Sequence, residues 1–516
     1  MFAGLCVLAL ALPWLQPWAP APAPSVPGLV TAWGTTGLLL TLVHQRGGWR
    51  APTASTLACV GVLAGLTGLS LWTAAWVPDV DLALLGGLWG SVLCIFLAQR
   101  LGMQADMARP IAQSLLWVGL ACAVMGCIQY AGLAQLPGNG FDWLHASPQR
   151  DAYANLRQRN QFGTLMALGL VAWLYLQPGW RHSAWWQWLQ LLTLSIGAVV
   201  SCSRAGALSW LLVAGAAFFV RGKIPGLGPR LAPALAALLL VCFSLALPWM
   251  SRQDAAGTTA PAPLPALARA VSQAEGLSVC ESRIVLWRNV LELSLQRPWT
   301  GWGWGELDYA MATQPLTGTR FCGIVANAHH LPLQLVAEWG WPLALALMLG
   351  AGRWLWRRRP GKTPPGSVLL GWGLLVPLGI HSLLEFPLWY GPFQMTLGLA
   401  LGLLCGEQVA QALPAHRDRL LRGLGLLLVL GAGWGGWDYL KVSQIYLPAQ
   451  RRLAQAQQDP WSGAEKTFWF RNAVDFAKLT TGRVPEEQRH TVAQRLVHFS
   501  PEPAVFKHLE APITRP

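Results

Sequence analysis

The sequence predicts an all-α polytopic membrane protein with about thirteen transmembrane helices, a long periplasmic loop and a periplasmic helical C-terminal tail. Three observations carry that expectation. Hydrophobic residues fill 53% of the 516 positions and charged residues only 12%, about half the charged share of a soluble domain. The apolar residues gather into uncharged runs, and a run of about 18 residues crosses the hydrocarbon core as a helix. The basic residues are sorted to one side of those runs.

The spans fall near 2–18, 27–43, 55–77, 80–98, 111–131, 160–177, 185–201, 204–220, 231–250, 331–351, 367–383, 386–406 and 420–437. The first is followed by Ala-Pro repeats but has no basic residues ahead of its apolar stretch, so it reads as a span rather than a signal peptide. Alternate loops carry Arg46 and Arg50; Arg100 and Arg109; Arg181; Arg221, Lys223 and Arg230; Arg353, Arg357, Arg358, Arg359 and Lys362; and Arg417, Arg419 and Arg422. The short loops on the other side carry only Arg150, Arg157, Arg159 and Arg204. Cytoplasmic loops collect Lys and Arg, which sets the first group inside, the N-terminus with it, and the 251–330 loop and the tail outside. The expected order is therefore helices 1–9 over 1–250, the loop over 251–330, helices 10–13 over 331–437 and the tail over 438–516. Within the loop, an Ala/Pro/Thr stretch at 255–266 precedes a helical pattern at 281–296. The tail opens on an amphipathic pattern at 438–458.

A net charge of +14 in a soluble protein would favour nucleic acid. Here the sidedness of the charge accounts for it, so the bilayer and not nucleic acid is the expected partner. Thirty tryptophans fit both the membrane interface and stacking on sugar rings. The ten cysteines show no CxxC pair or metal-ligand spacing. No Gly-rich phosphate loop follows a strand pattern.

Polar groups at the ends of spans are costly and call for a reason. In Ser201-Cys202-Ser203-Arg204-Ala205-Gly206, Arg204 sits on the side that otherwise avoids positive charge. It is either an interfacial arginine at a helix end or a fork of donors for phosphate oxygens. Arg283 and Arg288 open the loop helix beside Glu281, free to pair there or to meet a ligand. Asn327-Ala328-His329-His330 stands where the loop re-enters the membrane, ahead of Glu338-Trp339-Gly340. Histidine is suited to exchanging a proton near neutral pH, which activation of a hydroxyl needs. His381 and Glu385 lie four apart on one helix face and either pair with each other or cap two spans. Asn155 through Gly163, with Arg157, Arg159, Asn160 and Gln161, reads as solvated loop charge or as an anion-attracting surface.

These clusters, in this order, resemble the superfamily of O-antigen ligases and polymerases. The matching residues are Ser203-Arg204-Ala205-Gly206; Arg283 to Trp287; Pro298-Trp299-Thr300-Gly301-Trp302-Gly303-Trp304-Gly305; and Asn327 to His329 before Glu338-Trp339-Gly340. The segment His381 to Tyr390 looks like the protein-glycosylating branch, the pilin-type O-oligosaccharyltransferases, as does Asn155 through Gln161. Gln161 stands where that branch has histidine, and His330 where the superfamily usually has asparagine.

The resemblance implies a glycosyltransferase moving a glycan from undecaprenyl diphosphate to an acceptor at the periplasmic face of the bacterial inner membrane. A protein such as pilin is the expected acceptor, with lipid A–core or another repeat unit as alternatives, and a lipid-linked sugar flippase as the rival of another class. It implies His329 as base and Arg204 and Arg283 on the diphosphate. Asn160, Gln161, Arg288, Asn327, His330, His381, Glu385 and Tyr390 would contact substrate. No cofactor or metal is expected. Trp299, Trp302, Trp304, Trp339 and Trp389 suit sugar stacking. In an oxidising compartment Cys280 and Cys322 are expected to form a disulfide.

Overall fold

The computed structural model describes residues 2–42, 108–135, 143–145, 151–177, 184–221, 231–253, 279–361, 366–405 and 415–509, with positions 61, 65, 90 and 97 between them. Apart from those four positions, the expected spans at 55–77 and 80–98 lie outside the described residues, as does the whole 255–266 stretch. No strand occurs among those described.

The membrane body is built from α1 (Phe2–Leu15), α2 (Val26–Leu42), α3 (Ala108–Tyr130), α4 (Arg159–Leu176), α5 (Ala184–Val200), α6 (Arg204–Arg221) and α7 (Leu231–Gln253). The long loop holds α8 (Arg283–Gln296) and α9 (Leu307–Thr313). Then come α10 (Leu331–Arg357), α11 (Gly366–Leu384), α12 (Gly391–Cys405) and α13 (Ala415–Ser443). Eleven expected spans thus coincide with helices, because an uncharged apolar run satisfies its backbone groups internally only as a helix. By length and composition, Ala108–Tyr130, Leu331–Arg357 and Gly366–Leu384 are long and apolar enough to cross a membrane.

Two ends differ from expectation. The span expected from 386 begins at Gly391, because Pro387 opens a single 3₁₀ turn over Pro387–Trp389 and its ring cannot continue the preceding helix. The amphipathic pattern at 438–458 is not one helix: α13 ends at Ser443, and short 3₁₀ turns follow around Pro448.

The core is one continuous apolar cluster shared by α1 to α7, α11 and α12, with Trp14, Phe162, Trp173, Trp210 and Phe393 fully buried. Helix α4 is central, packed on α3, α5, α6 and α11, while α2 lies along α13. Where α4 meets α6 the backbones touch. A Cβ on Gly206 would stand 2.6 Å from Gly163 Cα, so only glycine permits the approach.

The loop has its own small core, in which Leu286, Val290 and Leu293 of α8 pack with Trp302, Met311 and Ala328. A disulfide joins Cys280 to Cys322, with Cα atoms 5.2 Å apart, as expected from sequence. Helix α10 is kinked at Gly340, at φ 76° and ψ 165°. The turn Pro298–Gly305 fills that kink: Trp302 N–H donates to Ala337 O (2.8 Å), Gly303 N–H to Glu338 O (3.0 Å), and Trp341 N–H to Pro298 O (2.8 Å). A Cβ at Gly340 would lie 2.5 Å from Trp299 O, and one at Gly301 2.4 Å from Glu338 C. The glycines of this turn therefore serve the interlock.

The tail folds into short helices, including Arg471–Thr480 and Glu486–Leu496. Their apolar faces pack with Ala312 and Tyr309 of α9. Asp438, buried near the end of α13, accepts from Thr467 Oγ1 and from the Phe468 and Trp469 amides and pairs with Lys441 at 2.7 Å. The tail is thus anchored at both α13 and the loop.

Candidate active site

Helix α4, the α5–α6 hairpin, the loop and the α11–α12 junction meet at one buried carboxylate. Glu385 is 3% exposed. Its Oε1 accepts from Arg283 Nη2 and, at 2.7 Å, from Asn160 Nδ2. Its Oε2 lies 2.5 Å from His329 Nδ1. Asn160 continues the network through Oδ1, which accepts from Ser203 Oγ at 2.8 Å, and Ser203 Oγ accepts from Gly206 N–H at 2.9 Å. The Gly163–Gly206 contact is what brings Asn160, one turn earlier on α4, beside Ser203.

Burial by itself pushes the Glu385 carboxyl up. The His329 and Arg283 contacts outweigh it and hold the carboxyl below the usual range. An ionised carboxylate only accepts, so His329 Nδ1 carries a proton and the other nitrogen of a neutral ring is left as an acceptor. That is the arrangement by which a carboxylate fixes the tautomer and orientation of a general base.

His329 itself is held in the left-handed region, at φ 50°. The residues around it are pinned. Ala328 N–H donates to Gln334 Oε1 at 2.6 Å, Trp287 Nε1 donates to Ala328 O at 3.0 Å, and Gln334 Nε2 donates to Ala326 O and Glu338 Oε1. Cys202, in the hairpin ahead of Arg204, is also left-handed at φ 51°. Non-glycine residues in such conformations cost free energy and gather at ligand sites.

The expected site residues separate into groups. His329, Arg283, Glu385 and Asn160 come together. Arg204 opens α6, exposed, directly after Ser203. His330 instead caps α10, accepting from Leu333 N–H at 3.3 Å while its ring meets Trp287 edge-on. Arg288 is exposed on α8 near Gly318, apart from the network. Asn327 Oδ1 is buried without a hydrogen-bond partner. His381 does not pair with Glu385, whose side chain is taken by His329 and Arg283. It lies fully buried against Phe393, with neither ring nitrogen bonded. Gln161 and Tyr390 line a cavity beside the network.

The tryptophans also depart from expectation. Trp304 stacks on Trp339 at 4.8 Å and on Trp389 at 6.2 Å, and Trp302 lies under the Arg297 guanidinium. These rings pack on one another and on Arg297, and only Trp299 is largely exposed. Ser203 and Gln334 were not singled out as functional from sequence. The spacing of Ser203 to Gly206, matching that of Asn160 to Gly163, was the available signal for the first.

Three families match successive stretches of the chain. The family described as Protein glycosylation ligase matches residues 152–176, O-Antigen ligase matches 189–348, and Virulence factor membrane-bound polymerase, C-terminal, matches 369–511. Asn160 falls in the first stretch, Ser203, Arg283 and His329 in the second, and Glu385 in the third. The General O-oligosaccharyltransferase of Acinetobacter baylyi is 24% identical over 388 residues. That match takes in 72% of this chain and 65% of the relative, so the chain spans just under two thirds of the relative's length. Over these stretches the chain is similar to the superfamily of O-antigen ligases and O-oligosaccharyltransferases.

Proposed function

We propose that the protein transfers an oligosaccharide from undecaprenyl diphosphate to a Ser or Thr hydroxyl of a periplasmic protein such as pilin. One observation supports it above the others: a single buried carboxylate takes both His329 Nδ1 and the Arg283 guanidinium. A proton acceptor and a fixed positive charge then stand side by side. In this mechanism the acceptor hydroxyl gives its proton to His329 Nε2 as its oxygen attacks the anomeric carbon. The bond from that carbon to the diphosphate oxygen breaks, and undecaprenyl diphosphate leaves. Arg283 keeps further N–H donors beyond those on Glu385. With Arg204 it stabilises the charge growing on the leaving group, where preorganised donors are most effective. The reaction faces the periplasm from the inner membrane, with thirteen spans placing the loop and tail outside.

The protein acceptor is favoured by the match of 152–176 to Protein glycosylation ligase and by the name of the Acinetobacter relative. The O-Antigen ligase and polymerase matches favour lipid A–core or another repeat unit instead. Membranes carrying wild type, His329→Ala or Arg204→Ala, given a polyprenyl-diphosphate glycan and pilin, separate these. Glycosylated pilin with wild type and none with either variant at equal expression is the expected result. Unmodified pilin beside capped lipid A–core or longer chains reassigns the acceptor. Variants as active as wild type remove the site assignment and favour a flippase.

A further inference from the structure

Beside the catalytic network lies a cavity of 320 Å³ among the end of α1, the α1–α2 connection, residues 155–161 and Tyr390. That size is at the lower end of small-ligand sites, which span roughly 300–1,000 Å³. It is framed by fixed structure. Gln129 of α3 accepts from the Tyr153 and Ala154 amides at 2.9 and 2.7 Å and donates to Ala154 O. Asn155 Nδ2 donates to Leu15 O at 3.0 Å. Ala154 and Arg157 are both left-handed, at φ 52° and 59°.

The lining is polar where it is most buried. Trp14 is 1% exposed, Asn155 7% and Gln161 1%. Yet Trp14 Nε1, Asn155 Oδ1 and Arg157 Nε have no hydrogen-bond partner, and the Gln161 amide has only the neighbouring Tyr390 hydroxyl to meet. Buried polar atoms are almost always bonded, so three such orphans on residues around one cavity call for an explanation. Arg157 has no acidic partner among the described residues. The acid nearest to it in sequence, Asp151, lies 3.9 Å from Arg159. Burial works against the Arg157 charge, and a cation desolvated without a counter-ion is costly.

We propose that this cavity is a saccharide subsite for a sugar bearing an oxyanion. The oxyanion meets the Arg157 guanidinium, and sugar hydroxyls meet Trp14 Nε1, Asn155 Oδ1 and the Gln161–Tyr390 pair. The assignment rests on the glycan-transfer function above and adds to it a class of substrate, an acidic glycan. The cavity is close to the chemistry. Gln161 follows Asn160, which is bonded to Glu385, and Tyr390 is five residues beyond Glu385. The oxyanion has two sources, a carboxylate on the glycan or the diphosphate of its carrier.

The test is binding by the full chain in lipid nanodiscs, with three probes: undecaprenyl diphosphate, the same lipid bearing a neutral disaccharide, and the same lipid bearing a disaccharide that ends in a uronic acid. Arg157→Gln is expected to weaken the uronic-acid probe about tenfold or more, as for loss of a charge-assisted hydrogen bond, and to leave the bare lipid unchanged. Gly28→Leu keeps the charge and fills the space. A Cβ there meets Gln16 Nε2 at 3.7 Å and Pro392 Cδ at 3.9 Å, ordinary contacts. It is expected to weaken both sugar-bearing probes, with an unchanged melting temperature showing that the chain folds. Equal weakening of all three probes by Arg157→Gln, with Gly28→Leu still selective for the sugars, also supports the subsite and makes the diphosphate its oxyanion. Binding of all three probes unchanged in both variants overturns the subsite and leaves a water-filled cavity. Transfer that persists in that case keeps the enzymatic function, whereas wild-type binding with no transfer to any acceptor removes the function and not the subsite.

Discussion

Glutamine at position 385 keeps the shape of the carboxylate and removes its charge, which makes Glu385→Gln the most informative single change. Three donors converge on two oxygens: Arg283 and Asn160 on Oε1, His329 on Oε2. A glutamine offers one acceptor oxygen and one NH₂. If its oxygen takes the Oε1 place, the NH₂ faces His329 Nδ1. The ring must then give up that bond or turn to the tautomer in which Nε2 carries the proton. If the oxygen takes the Oε2 place, the NH₂ faces two donors. The first arrangement costs less, one bond to a charged group, worth about 1.5–3 kcal/mol. At about 1.4 kcal/mol per decade, that is roughly 10- to 100-fold in rate. Turning the tautomer also removes the base, a contribution of about 10²–10⁴. The expected outcome is a fall in kcat of about 10² or more, with the donor KM changed less than about threefold. Glycan transfer followed with purified donor and acceptor in detergent measures both. A folded Glu385→Gln enzyme with more than about a third of the wild-type kcat would refute the dyad; a raised KM with kcat intact would make Glu385 a binding residue.

Asn160→Ala removes the bonds to Glu385 and Ser203 at the α4–α6 crossing, and about 1–3 kcal/mol for the groups left unpaired is expected as a lower melting temperature together with slower transfer. Cys280→Ser with Cys322→Ser opens a ring of sequence separation 42. It is expected to cost about 4 kcal/mol on chain-entropy grounds, read as an earlier denaturation midpoint that reductant reproduces in the wild type. Burial raises the Asp308 carboxyl to about 7, with Glu306 adding to it and the Tyr309 amide and His498 opposing. A folded pKa above the unfolded one means stability that is full at acid pH and falls as pH rises through about 7. His498 Nδ1 lies 2.8 Å from Glu306 Oε2 and its ring stacks on Tyr309, so the effect is placed where the tail docks on the loop. Protection over 484–506, taken relative to the intrinsic exchange rate at each pH, is expected to fall between pH 5.5 and 8 in wild type and to stay level in Asp308→Asn.

The helices were legible because hydropathy alone decides them. Eleven of the expected spans coincide with helices to within a few residues, and the ends that differ lie at Pro387 and Pro448, where ring geometry interrupts a favourable pattern. The site was legible as residue types and not as pairs. His329, Arg283, Glu385 and Asn160 were each singled out, but His381 was offered as the partner of Glu385 on helical spacing. In the structure Glu385 N–H still closes the helical turn on His381 O at 2.7 Å, but its carboxylate is taken by Arg283, Asn160 and His329, the last arriving from 56 positions away. His330 and the tryptophans show a related limit. A polar or aromatic residue at a functional motif can be holding the backbone there, as the His330 cap and the Trp304 stack do. The orphaned atoms of the Arg157 cavity have no sequence signal at all, since being unpaired is a property of the assembled neighbourhood.

The interlock between the Pro298–Gly305 turn and the kink at Gly340 bears on how this scaffold can be recombined. Two stretches separated in sequence share one set of backbone bonds, so a chimera that takes the loop from one homologue and α10 from another must match carbonyl to amide across the seam. Residues 298 to 341 are therefore a natural unit of exchange. Swapping them whole keeps the notch and its key from one parent, whereas a junction inside that stretch separates the two.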